Sequence, residues 1–220
     1  MPYRARVFGL PKTHVLTLHQ STNPADLELA VWCLAFFLGM PLTTTAAGFL
    51  DAAPTKPGSL VDFVLSGHCD EADVIELALN YLNDARGDAR SLKRVAAVVH
   101  ALFLSHSPQS LSFEQFQYLY MALDGCFKLV LAKGAAKSPR NHGDRIQWMC
   151  ATFDMPVPDW AKSATSMPSS LSVVRNDAFH EALFFGEPLG YSIYGGTQEA
   201  TDAGNTPLQM QALVSRLLVA

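Results

Sequence analysis

Beyond Cys69 the chain repeats one pattern: apolar residues return every three or four positions, and each run is bounded by a capping residue or a breaker. Such spacing buries one stripe of a helix, so it confines this part of the chain to helices packed on helices. Asp70, Glu71 and Asp73 crowd a first turn, where the helix dipole favours negative charge, ahead of the stripe Val74, Leu77, Ala78 and Leu82. A second run covers 90–105, with Leu92, Val95, Ala96, Val99, Leu102 and Phe103 inward and Pro108 as its stop. Ser112 then caps a helix that reaches Ala132 through Phe116, Leu119, Leu123, Phe127 and Val130. A shorter helix is predicted over 144–153, with Ile146 and Met149 inward, and a last one over 208–220, carrying Leu213, Leu217 and Leu218. Between them, 155–160 reads as an extended connector pinned to the core by Trp160.

The first 66 residues read differently. Segments 3–10 and 14–20 hold β-favouring residues around Pro11-Lys12-Thr13, which predicts a hairpin. Asn23-Pro24 pairs an N-cap with proline at the first helical position and opens a helix to about Leu38, ended by Gly39 and Pro41. Segments 42–50 and 60–65 suit strands, with a turn over 54–58. The predicted fold class is therefore α+β: a small α/β module over 1–66 followed by a helical bundle over 67–220. The role of the module is not written in its residues. His14 and His19 fall on opposite faces of a strand and read as surface residues, and Lys56 near Gly58 lacks the spacing of a phosphate loop.

Composition removes several classes. At 49% hydrophobic the chain can bury a sizeable core. Its formal charge of −4 and pI of about 5.9 give no global positive field, so any RNA affinity has to come from a local patch. Cys33, Cys69, Cys126 and Cys150 form no Cys-x-x-Cys and no zinc pattern; they read as reduced core thiols, and neither a metal nor a cofactor is expected. Residues 1–6 lead into a strand-like segment, not a signal-peptide apolar region, and the longest apolar run, 30–40, is too short to span a bilayer. These features predict a cytoplasmic protein of prokaryotic type with no membrane partner.

One helix carries the chemistry. Pro168 and the serines before Leu171 signal a start, and Gly186 with Pro188 signals a stop, so a helix is predicted over 169–185. Leu171, Val174, Ala178, Ala182 and Phe185 share its inward face, with Arg175 at the margin. Asn176 and His180 sit together on the far side, flanked by Val173, Leu183 and Phe184, which suggests a second buried surface there. Arg94 and His100 stand at a similar spacing without a polar residue after the arginine, and His100 reads as a core or edge histidine.

The pattern Arg-Asn-x-x-x-His over Arg175, Asn176 and His180, with the helices upstream and the final helix, resembles the HEPN superfamily of all-helical domains across about residues 70–220. The resemblance implies a metal-independent endoribonuclease with Arg175, Asn176 and His180 as its catalytic residues. In that chemistry His180 holds and releases a proton near neutral pH, as base toward a ribose 2′-hydroxyl or acid toward the leaving oxygen. Arg175 offers a planar fork of donors to a phosphate whose charge grows in the transition state, and Asn176 orients the phosphate or the imidazole. Attack by the 2′-hydroxyl leaves a cyclic phosphate and makes DNA a non-substrate.

One chain offers this motif once, and a two-fold homodimer would set a second Arg175 and His180 across a shared cleft. Val173, Leu183 and Phe184 suit that interface. The resemblance also allows a toxin or phage-defence effector, with a regulatory or antitoxin protein as partner. Around the motif, the loop 133–142 and the residue after it place Lys137, Arg140 and Arg145 where they could track a phosphate backbone; a solvated loop is the plain alternative. The Gly-rich segment 190–207 lies just beyond His180; Tyr191 or Tyr194 at its start could stack on a base or simply anchor the loop. Asp124 is a candidate support for His180 or Arg175. Two readings compete with the nuclease: a HEPN-like module that binds RNA or nucleotide or dimerises without cleaving, and a structural protein in which Arg175 pairs with Asp177, Glu181 or Asp124.

Overall fold

The computed structural model describes residues 16–19, 21–39, 41–44, 71–107, 109–134, 139, 141–163, 168–190 and 201–220. Among them the protein is mostly helical, with one two-stranded antiparallel hairpin. The chain divides into two compact units, Met1–Phe103 and Leu104–Ala220. The sequence placed its division at 66/67, and that position lies outside the described residues.

In the first unit α1 (Pro24–Leu38) packs on α2 (Glu71–Asp84), and the start of α3 (Ala89–Ser105) joins them. The predicted start and stop of α1 hold: the Asn23 side chain accepts from the Ala25 N–H at 3.1 Å, Pro24 takes the first position, and Gly39 closes the helix at φ 61°. Leu29 of α1, Leu82 of α2 and Ala96 of α3 form a common core, with Trp32, Leu79, Leu92 and Val95 packed against it. Val74, Ala78 and Leu82 keep their predicted inward face, whereas Leu77 is exposed. Asp88 caps α3 by accepting from the Ser91 hydroxyl and from the Ser91 and Arg90 N–H groups, which together hold its carboxyl below the usual range. His100 stands edge-on to Trp32, ring centroids 4.7 Å apart, which fits its reading as an edge histidine. The predicted strands largely fall outside the described residues, but 16–19 and 41–44 are described and carry no strand.

In the second unit α4 (Ser112–Ala132) packs along α7 (Thr201–Val219) and meets α5 (His142–Thr152). Phe116, Leu119, Leu123, Phe127 and Val130 are all buried, as their spacing predicts. Glu114 closes the first turn by accepting from the Leu111 N–H at 2.8 Å, so the cap falls one residue before Ser112. Ile146 and Met149 of α5 are buried, as is Trp160 in a short 3-10 turn. Helix α7 begins well ahead of the predicted start at Leu208 and runs straight through Pro207. Proline removes one backbone bond there, but buried Met210, Leu213, Val214 and Leu217 hold the helix in place by packing. The three described cysteines, Cys33, Cys126 and Cys150, are free thiols that burial pushes up, Cys126 to about 12; Cys69 lies outside the described residues. No described helix is long and apolar enough to cross a membrane.

The helix predicted over 169–185 is three elements. It begins as α6 (Ser170–Asn176), continues as a π-helical turn (Asp177–Glu181), and ends at Ala182 in the left-handed region at φ 56°. The chain then forms β1 (Leu183–Phe184) and β2 (Glu187–Pro188), paired Leu183 to Pro188 and Phe184 to Glu187. The two residues between them, Phe185 and Gly186, both have positive φ, the geometry of the tight hairpin turn that matches strand twist. Leu171, Val174 and Ala178 face inward as predicted, but Ala182 is exposed, because the reversal at its own backbone takes it off the helical face.

Candidate functional site

Ser169 sets the direction of α6. Its hydroxyl accepts from the Ser172 N–H at 3.3 Å and lies 2.9 Å from the Ser172 hydroxyl, with Ser169 itself buried. Gly143, near the start of α5, comes so close that a Cβ placed there would stand 2.9 Å from the Ser169 Oγ. A Cβ there would force the Ser169 side chain to shift, so glycine allows the close approach of the N-terminal ends of α5 and α6.

Arg175 is half-buried near the end of α6. Its Nη1 donates to the Asn176 Oδ1 at 2.9 Å, and its guanidinium lies 5.1 Å from the Phe179 ring centre and 5.9 Å from that of Tyr120. Asn176 therefore orients the guanidinium. No carboxylate stands within ion-pair distance of Arg175 among the described residues. His180 is exposed in the π turn and makes no hydrogen bond or ion pair among them. The π turn changes how these two residues face. In an α-helix residues five apart point about 140° away from each other. The π turn replaces i→i+4 bonds with i→i+5, seen here as Ala182 N–H to Asp177 O, and so winds more slowly, which narrows the angle between positions 175 and 180 on the backbone. Asp177 to Glu181 contain no proline or glycine that would force this winding.

A second polar group lies beside the first. Tyr120 and Asp124, four apart on α4, face His142 and Arg145, three apart on α5. The Tyr120 hydroxyl stands 2.8 Å from the His142 Nδ1; Arg145 Nη1 is 3.2 Å from that same Nδ1 and 3.2 Å from the Asp124 Oδ1. The Asp124 Oδ1 is 3.7 Å from the His142 Nδ1, and the Arg145 guanidinium lies 4.7 Å from the Phe127 ring centre. Burial holds the His142 imidazole below the ordinary histidine value, and Arg145 and Arg175 add to this against the pull of Asp124. Burial, with Asp124, pushes the Tyr120 hydroxyl up to about 12, so it keeps its proton. Arginine only donates and this tyrosine stays protonated, so both hydrogen bonds end on an unprotonated Nδ1. His142 is thereby assigned as the neutral tautomer with its proton on Nε2.

The site residues read from the sequence divide as follows. Arg175 and Asn176 are hydrogen-bonded partners. Asp124 supports Arg145 and faces His142, and it makes no direct contact with Arg175 or His180. Arg145 belongs to α5, anchored by Asp124 and Phe127, because α5 starts at His142, two residues ahead of its predicted start. Lys137, Arg140, Tyr191 and Tyr194 lie outside the described residues. The apolar flank assigned to the motif is also different: Phe184 packs on Phe116 at 5.5 Å between ring centres and Leu183 is half-buried in β1, so Val173 remains exposed, joined by Phe179. Tyr120 and His142 were not read as site residues. The signal for His142 was present: Asn141, at the N-cap position of α5, is followed three residues later by Asp144, whose carboxylate accepts from the Asn141 amide at 3.3 Å. Among the described residues no three His, Cys, Asp or Glu side chains gather as metal ligands would.

No family model, curated protein or solved structure matches the chain.

Proposed function

We propose that the protein is a metal-independent endoribonuclease of the HEPN type that works as a homodimer, with Arg175, Asn176 and His180 at its centre. The reading extends to a cytoplasmic effector of a toxin or phage-defence system, held in check by a regulatory or antitoxin partner. The observation that carries it is the state of Arg175: a half-buried guanidinium, aimed by Asn176 and backed by aromatic rings, with no carboxylate to neutralise it among the described residues. A structural arginine in such a setting normally takes an ion pair, and the pairing with Asp177, Glu181 or Asp124 does not occur. A cation kept in this way is free for a phosphate.

The π turn supports the assignment of His180, since π turns gather at functional positions. In the proposed reaction one imidazole takes the proton of the 2′-hydroxyl, the resulting oxygen attacks the adjacent phosphorus, and the 5′-oxygen leaves with a proton from a second acid. Arg175 stabilises the charge that gathers on the phosphoryl oxygens. The two-fold partner would contribute the second His180, with exposed Val173 and Phe179 on the contact face.

RNA incubated with the intact protein and EDTA should be cleaved, and His180→Ala should lower the rate by about 10²–10⁴-fold, the usual contribution of a positioned acid or base. Cleavage undiminished in that variant contradicts the assignment. The second reading, a HEPN-like module that binds RNA or nucleotide without cleaving, is favoured by the lack of a hydrogen bond or ion pair to His180 among the described residues; RNA retention without cleavage by the intact protein would establish it.

A further inference from the structure

The geometry points to a two-arginine phosphate site within a single subunit, in which Arg145 of α5 joins Arg175 of α6 beside the Tyr120 and His142 side chains. The inference rests on the reading of Arg175 as a phosphate ligand and extends it to residues outside the Arg-Asn-x-x-x-His pattern.

Both guanidinium groups are held in the same manner. Arg145 uses Nη1 for Asp124 and His142 and lays its face toward Phe127. Arg175 uses Nη1 for Asn176 and lies over Phe179 and Tyr120. In each case the Nε–H is buried without a hydrogen-bond acceptor, and Nη2 has no partner among the described residues. A buried donor without an acceptor is rare and costly, and here it occurs twice in one neighbourhood. The edge formed by Nε and Nη2 is the one that meets two oxygens of a planar or tetrahedral oxyanion side-on, and anchoring by Nη1 leaves that edge oriented in advance.

That the two belong to one neighbourhood follows from their shared company: Arg175 lies 5.9 Å from the Tyr120 ring centre, the Tyr120 hydroxyl stands 2.8 Å from the His142 Nδ1, and Arg145 Nη1 meets that same Nδ1 at 3.2 Å. Charge also favours an anion. Asp124 neutralises Arg145, while Arg175 has no counter-charge among the described residues, and the Asp144 carboxylate is taken up by Asn141 and Ser163. A carboxylate ligand, with two oxygens, fills one such edge. A phosphate, with more oxygens set tetrahedrally, can meet both. The ligand class is therefore a phosphate ester, whether the linkage of an RNA strand or the terminal group of a nucleotide.

The test follows the Nε–H signals of Arg145 and Arg175 by nitrogen-edited NMR in the intact chain, with exposed Arg86 as reference, during titration with inorganic phosphate. Parallel titrations use adenosine monophosphate and a 2′-O-methyl RNA hexamer, which cannot be cleaved. Both buried signals should shift and saturate together while Arg86 stays put. Tighter saturation by the hexamer assigns the RNA linkage, and tighter saturation by the mononucleotide assigns a terminal phosphate. Arg145→Lys, which keeps the charge beside Asp124 and removes the fork, should weaken phosphate binding about tenfold. Saturation at Arg175 alone, uniform drift of all three arginines, no saturable shift at either buried arginine, or unchanged affinity in Arg145→Lys overturns the two-arginine site. The first of these leaves the nuclease reading standing. Saturation at both without RNA cleavage by the intact protein keeps the site and removes the nuclease.

Discussion

At the scale of single residues, Gly143 and His142 show how the site is held. A methyl group at position 143 would meet the buried Ser169 hydroxyl at 2.9 Å and its Cβ at 3.3 Å, and Ser169 is the residue that caps α6. Gly143→Ala should therefore cost about 1–2 kcal/mol from overpacking and a loosened cap, read by denaturant unfolding, and should disturb the Arg175 Nε–H signal more than that of Arg86. His142 makes a separate prediction. Its imidazole titrates below the ordinary value of about 6.5 that it has in the unfolded chain, so on acidification the unfolded state takes up the proton first. The stability tied to His142 is present in full above that value and is lost as the pH falls below it. Unfolding measured between pH 7.5 and 5.5 should show a slope that His142→Gln removes; a slope unchanged by the substitution would contradict the assignment of a neutral ring. The Asn141 cap could have placed His142 at the start of α5, but the part of either residue in the site was not legible, because it arises from approach between α4, α5 and α6, and sequence spacing reports only neighbours on one element.

At the scale of elements, α1, α3 and α4 lie within a residue of where their caps and breakers put them, since Asn23-Pro24, Gly39 and Glu114 act locally. The segment after Ser169 was legible only in its first half. Leu171, Val174 and Ala178 obey the α-helical period, and nothing in Asp177 to Glu181 announces the change to i→i+5 bonding or the reversal at Ala182. The same limit hid the true fate of Phe184, read as a helical flank, and of Phe185, read on the inward face, which instead lie in and beside a hairpin against Phe116. Phe116 is fully buried and touches both rings, so Phe116→Ala should cost about 3–5 kcal/mol and release β1 and β2. Hydrogen exchange would show this as faster exchange at the Leu189 amide, which donates to the Ala182 carbonyl at 3.0 Å. Equal protection in the variant would mean that the hairpin is held by other contacts.

For the molecule as a whole, the helical character of the chain beyond Cys69 was readable because apolar stripes of period 3.6 have few other uses. The start of α7 was not, since Pro207 reads as a boundary and packing on α4 overrides it. Arg175, Asn176 and His180 were readable as one motif, but the bond between Arg175 and Asn176 and the gathering of Tyr120, Asp124, His142 and Arg145, of which Tyr120 lies against Arg175, are products of folding. The functional account stands on Arg175 and His180 acting on one ribose phosphate. Mass spectrometry of RNA fragments produced in the presence of EDTA tests this most directly. The account predicts upstream fragments ending in a 2′,3′-cyclic phosphate, formed by the intact protein and absent with either Arg175→Ala or His180→Ala. Fragments without that cyclic end, or the same fragments from both variants, would contradict it.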